Sequence, residues 1–121
     1  MSDQYLLLIV GTEWDPATTS EEDFATEMQA HGAFSAAVAE AGAKILGGEA
    51  LQPTSTGFRV TPSRDGKPAV YTNAPLAETT EVLGGYYVIE ADSLDQVKEL
   101  AALCPTDGYI EVRPIVDMSG M

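Results

Sequence analysis

The chain has 121 residues, 45% of them apolar, with 19 acidic side chains against 6 basic ones and a formal charge of −13. That length suits one domain, 1–121, whose core needs no disulfide or metal, and the charge disfavours nucleic acid and anionic membrane surfaces as partners. A lone cysteine excludes an internal disulfide, and the chain has neither a long apolar span nor a basic stretch ahead of Leu6, so a cytoplasmic protein is expected.

In chain order, Tyr5 to Val10 is apolar at every position and predicts a strand covered on both faces. A small domain covers one face with its own helices, so a second copy is expected on the other, making a homodimer. Gly11 to Thr18 is a loop carrying Trp14, either a lid or a contact anchor. Thr19-x-x-Glu22 reads as a capping box opening a helix, with Phe24, Met28, His31, Phe34 and Val38 as its buried stripe and Gly42 as its stop. Lys44 to Leu46 predicts a short strand.

Residues 57–72 read as an inserted hairpin, in which Phe58 and Val60 alternate with Arg59 and Thr61 and Asp65-Gly66 is the turn. Pro62 and Pro68 near its tip place it at an edge or projecting. The stretch from Asn73 to Ala91 then runs from a polar entry into the aromatic and β-branched Tyr86-Tyr87-Val88-Ile89, a buried strand. Gly84 and Gly85 before it signal a bulge or a close approach. Ser93-x-x-Gln96 caps a second helix with a stripe of Leu94, Val97, Leu100, Ala101 and Cys104, ended by Pro105. Tyr109 to Arg113 is the last strand, and 117–121 a flexible tail. The order strand–helix–strand, hairpin, strand–helix–strand predicts a ferredoxin-like α+β fold, an antiparallel sheet with two helices on one face.

Several segments resemble the YCII-related proteins, and in particular their subgroup with an Asp-Gly-Pro-Phe signature. The similar segments are Tyr5 to Ile9, Gly47-Gly48-Glu49-Ala50-Leu51-Gln52-Pro53, Asn73 through Tyr87 and Glu111-Val112-Arg113-Pro114. The chain departs from the signature at Asn73, Ala74, Leu76 and Thr80, where the subgroup has Asp, Gly, Phe and Lys; if that aspartate is an acid or base, Asn73 does not replace it. The resemblance implies a dimeric α+β barrel with a cleft in each subunit. A few relatives in the broader family are lyases on chlorinated hydroquinones, and some subgroup members look like companions of extracytoplasmic-function sigma factors.

His31 is the sole histidine, and counting back from Gly47 without gaps places it where the broader family carries a helix histidine proposed to act with an aspartate. An imidazole beside a carboxylate suits proton abstraction near neutral pH. The plainer alternative is a core histidine satisfied by a backbone carbonyl or a tyrosine hydroxyl. Glu49 and Glu78 are the candidate carboxylate partners, each otherwise a solvated charge or cap. Arg59, Asn73 and Tyr86 are candidate ligand contacts, although Arg59 and Arg113 equally suit pairing with Glu49, Glu78 or Glu111. Tyr86 and Tyr87 alternate, so at most one of them lines a cleft. No zinc spacing, calcium loop, phosphate-cradling glycine loop or nucleophile elbow occurs, so neither metal nor cofactor is expected. Two functions remain: a small-molecule-binding homodimer, as a cofactor-independent lyase or isomerase with His31 as base, or a regulatory module with a protein partner such as a sigma factor.

Overall fold

The computed structural model describes residues 3–73 and 81–120. In order come β1 (Asp3–Gly11), α1 (Glu21–Glu40), β2 (Lys44–Ala50), a 3₁₀ turn (Thr54–Thr56), β3 (Phe58–Thr61), β4 (Val70–Asn73), β5 (Val82–Ala91), α2 (Leu94–Ala101) and β6 (Tyr109–Pro114). The main sheet has the order β2-β5-β1-β6, each neighbour antiparallel, and β3 and β4 form a separate two-stranded sheet. This is an α+β architecture consistent with a ferredoxin-like fold, in which each strand–helix–strand unit returns to the same sheet.

Register decides which side chains share a face. Tyr5, Leu7 and Ile9 of β1 stand opposite Ile89, Tyr87 and Gly85 of β5, and Leu7 and Ile9 also face Val112 and Ile110 of β6. Side chains paired directly across antiparallel strands share a face. Onto this face pack Phe34 and Val38 of α1 and Val97 and Leu100 of α2, with Cys104 beyond α2, completing the core around Leu7 and Ile89. The opposite face carries Leu6, Leu8, Tyr86 and Val88, all half-buried in the single chain.

Local chemistry explains the element ends. Ser20, one residue after the expected Thr19, caps α1: its Oγ accepts from the Asp23 N–H, while Thr19 Oγ1 donates to the Asp15 carbonyl. Glu21, Glu22 and Asp23 then occupy the positive end of the helix dipole. Gly42, at φ 79°, takes the left-handed conformation that ends the helix. At α2, Ser93 Oγ accepts from the Gln96 N–H; Gln96 Oε1 accepts from the Asp92 N–H, and its Nε2 donates to the Ala41 carbonyl, tying the end of α1 to the start of α2. The hairpin turns at Asp65 and Gly66, with φ 52° and 76°, as the Asp-Gly pair requires.

Two expected stripes are only half buried. Phe34 and Val38 are enclosed, but Phe24 is 46% and Met28 50% exposed; on α2, Val97 and Leu100 are enclosed while Leu94 is 45% exposed. The α1 departure has a physical cause: its first half stands over an open cleft rather than over packed sheet.

Candidate functional site

The cleft has a volume of about 680 Å³. Its roof is the first half of α1, with Phe24, Glu27, Met28 and His31; its floor is Ile9, Gly48, Gly84, Gly85 and Tyr87 of the sheet. Thr12 to Trp14 closes one end together with Pro105 to Asp107. Trp14 stacks on Phe24 with ring centroids 6.3 Å apart, so the loop after β1 and the start of α1 share one aromatic wall.

His31 sits at the inner wall, its side chain 22% exposed, and both ring nitrogens are engaged. Nδ1 lies 2.7 Å from the Tyr87 hydroxyl and Nε2 lies 3.2 Å from Glu27 Oε1. An ionised carboxylate only accepts, so in the neutral ring Nε2 carries the hydrogen and Nδ1 accepts from the Tyr87 O–H. Glu27 thereby sets the tautomer, and Tyr87 fixes the ring's tilt.

The placement of Tyr87 depends on two glycines. A β-carbon on Gly48 would stand 2.8 Å from Tyr87 Cδ1 and 2.7 Å from the Tyr86 carbonyl, so the bare backbone lets the phenol ring cross β2. Gly84 is skipped between the pairs Ile9–Gly85 and Val10–Leu83, and this bulge shifts the register ahead of Tyr86 and Tyr87. The Tyr87 ring then packs against Phe34 at 5.0 Å. Burial holds its hydroxyl above the ordinary phenol range, with smaller contributions from Cys104 and Glu27. Cys104 itself is pushed up to about 11 by burial and by Glu27. A buried neutral thiol is packing, not a nucleophile.

The remaining candidates do not hold the imidazole. Glu49 and Tyr86 are both lining residues of the cleft, so Tyr86 and Tyr87 both border it. Glu49 and Tyr86 stand opposite each other, one residue out of step with the Gly48–Tyr87 pair, and neither is bonded to His31. The carboxylate in contact with the imidazole is instead Glu27, and the tyrosine is Tyr87 rather than Tyr86. Arg59 and Asn73 lie on the separate hairpin, opposite Thr72 and Phe58, and neither lines the cleft. Glu78 lies outside the described residues, as do the signature positions Ala74 and Leu76. Arg113 pairs at 3.7 Å with Glu111 of its own strand. Missing from the expected set was Glu27, although its spacing of four from His31 on a helix was a readable signal.

At the cleft end, Asp107 accepts from Thr12 at both the backbone N–H, 3.0 Å, and the hydroxyl. Those bonds hold its carboxyl below the usual carboxylate range. Glu13 accepts from the Thr54 N–H at 2.6 Å and from its hydroxyl at 3.1 Å, tying the same loop to the 3₁₀ turn. Among the described residues no group of three or more His, Cys, Asp or Glu side chains is arranged to hold a metal ion, and no helix is long and apolar enough to cross a membrane.

A ferredoxin-like sheet, a roofing helix and an imidazole held between carboxylate and phenol define a small α+β protein with an open cleft. The family model for the YCII-related domain matches residues 5–119, and the chain belongs to that family. No curated protein matches it.

Proposed function

We propose that the chain binds a small organic molecule in this cleft and moves a proton on it, as a cofactor-independent lyase or isomerase with His31 as general base and Glu27 as its orienting carboxylate. One observation carries the reading: the sole histidine stands at the wall of a roughly 680 Å³ cleft, its ring held by a carboxylate on one side and a phenol on the other. A carboxylate on the far nitrogen stabilises the imidazolium that forms when the ring takes a proton. A histidine serving packing alone needs partners but no cavity.

The same reading includes membership of the Asp-Gly-Pro-Phe subgroup and assembly of two copies into an α+β barrel. The open sheet face, with Leu6, Leu8, Tyr86 and Val88, supports the second copy, because its central positions are apolar. Sedimentation at high micromolar concentration should give the mass of a dimer, and Leu8→Asp should give that of a single chain; a wild-type monomer refutes the assembly.

Trp14, the only tryptophan, lines the cleft, so ligand entry is read directly by its fluorescence. A screen of small uncharged aromatic compounds should find binders that quench Trp14 and shift the His31 resonances. His31→Gln should keep such binding and lose turnover. If every binder leaves Trp14 and His31 unmoved, the cleft is not the site.

A further inference from the structure

In the resting geometry neither nitrogen of His31 is open to a ligand. Nε2 is directed at Glu27 and Nδ1 at Tyr87, so a ligand reaching either nitrogen directly must first displace a partner. Tyr87 Oη is different. A phenolic oxygen that donates to Nδ1 retains acceptor capacity, and Tyr87 is itself a lining residue of the cleft. We propose that Tyr87 Oη, not a ring nitrogen of His31, is the atom that exchanges a proton with the bound ligand. This rests on the cleft being a proton-transfer site and assigns its ligand-facing group.

The step balances within the residues present. The ligand's C–H or O–H proton passes to Tyr87 Oη as the phenol's own proton passes to His31 Nδ1. The ligand keeps the bonding pair as an anion or expels a leaving group, and the imidazolium is held between Tyr87 and Glu27. Return of the proton by the reverse path completes an isomerisation. Burial keeps Tyr87 protonated at rest, so the transfer is concerted through the 2.7 Å bond rather than from a standing phenolate. The titratable groups around the pair are Glu27 of α1 and Cys104 beyond α2, and burial keeps the latter a neutral thiol at neutral pH. His31 is in this arrangement a proton acceptor behind Tyr87, which makes Tyr87 the catalytic residue and Glu27 a positioning residue.

Two measurements test this. Because the chain has one histidine, ¹⁵N NMR reads His31 without assignment ambiguity. Wild type, in the neutral-imidazole range, should show an Nε2–H tautomer with a hydrogen-bonded Nδ1. Tyr87→Phe, which keeps the ring against Phe34, should move Nδ1 toward a free pyridine-type shift without changing the melting temperature of the Trp14 signal. The second measurement uses 5-nitrobenzisoxazole, a neutral aromatic probe whose C3 proton is lost as its N–O bond opens to a nitrile and a phenolate. Turnover should fall at least about tenfold in both Tyr87→Phe and His31→Gln. An unchanged Nδ1 shift overturns the relay. So does full turnover in Tyr87→Phe with none in His31→Gln, which leaves the proposed function standing with the imidazole as direct base. Wild-type turnover no faster than free imidazole overturns the relay and the proton-transfer reading together.

Discussion

Gly48 shows how one missing side chain sets the chemistry of the cleft. An added β-carbon would meet the Tyr86 carbonyl and the Tyr87 ring at 2.7 and 2.8 Å, distances that require one of them to move. Gly48→Ala should therefore cost roughly 1–3 kcal/mol in urea unfolding and break the Tyr87–His31 bond, visible as the same Nδ1 shift that Tyr87→Phe produces. Cys104 makes a second prediction. Its thiol is held at about 11, so the folded state keeps this proton after the unfolded chain has lost it. Between the ordinary thiol range and 11 the native state binds more protons, and stability falls as pH rises. Below that window the thiol is protonated in both states and contributes no pH dependence. Thiolate absorbance should titrate near 11 in the native protein, and Cys104→Ala should flatten the alkaline stability loss. Glu27 belongs to this scale as well: its spacing of four from His31 was plain in the sequence, the one carboxylate at helical spacing from the sole histidine, yet spacing alone does not separate an exposed surface pair from a site. Only the position of His31 at a cavity wall singles this one out.

At the scale of elements, caps and bulges carry information that periodicity alone lacks. Ser20 and Ser93 each satisfy an orphan N–H at a helix start, and Ser20→Ala or Ser93→Ala should each cost about 1 kcal/mol by urea denaturation. Ser20 rather than Thr19 is the cap, because the helix begins one residue later than the pattern suggests, and the Thr19 hydroxyl instead donates to the Asp15 carbonyl, a loop contact no helix pattern reveals. The hairpin is the legible counter-case. Asp65-Gly66 dictated a tight turn, and the observed pairing of Thr61 with Val70 and Arg64 with Lys67 follows from counting outward. Gly66→Ala, placed at φ 76°, should loosen the hairpin in amide exchange while leaving the main sheet protected, because β3 and β4 form a sheet of their own. The clasp of Asp107 on Thr12 closes the gap between the loop after β1 and the loop before β6. Its lowered carboxyl supports the fold above the ordinary aspartate range and ceases to do so as pH falls through the folded value. Thr12→Val should lessen the acid sensitivity of Trp14 fluorescence.

For the whole molecule, the core is small and concentrated. Leu7 and Ile89 are fully enclosed, touch both helices' contributions and sit on the two central strands. Ile89→Ala should cost about 2–5 kcal/mol in urea unfolding, a large share of the stability of a domain this size. The cleft exists because this core ends early. Phe34 and Val38 seal the second half of α1 to the sheet, whereas Phe24 and Met28 have no sheet side chains to meet across Gly48, Gly84 and Gly85. A stripe that reads as core throughout thus divides into a packed half and a roof.

By itself the sequence determined the strands, both helices and their order, because alternation, helical spacing and turn residues are local and survive without knowledge of partners. It also marked His31, the one imidazole on an apolar stripe. What it left open was phase: that Tyr86 and Tyr87 face opposite ways is local, but which of them meets the helices is set by the bulge at Gly84 and the strand opposite. The same register set Glu49 opposite Tyr86, at the cleft but out of step with Tyr87, and left Glu27 to hold the ring. Contacts across 56 residues, such as Tyr87 with His31, depend on how the sheet is stitched, and only the folded chain decides that.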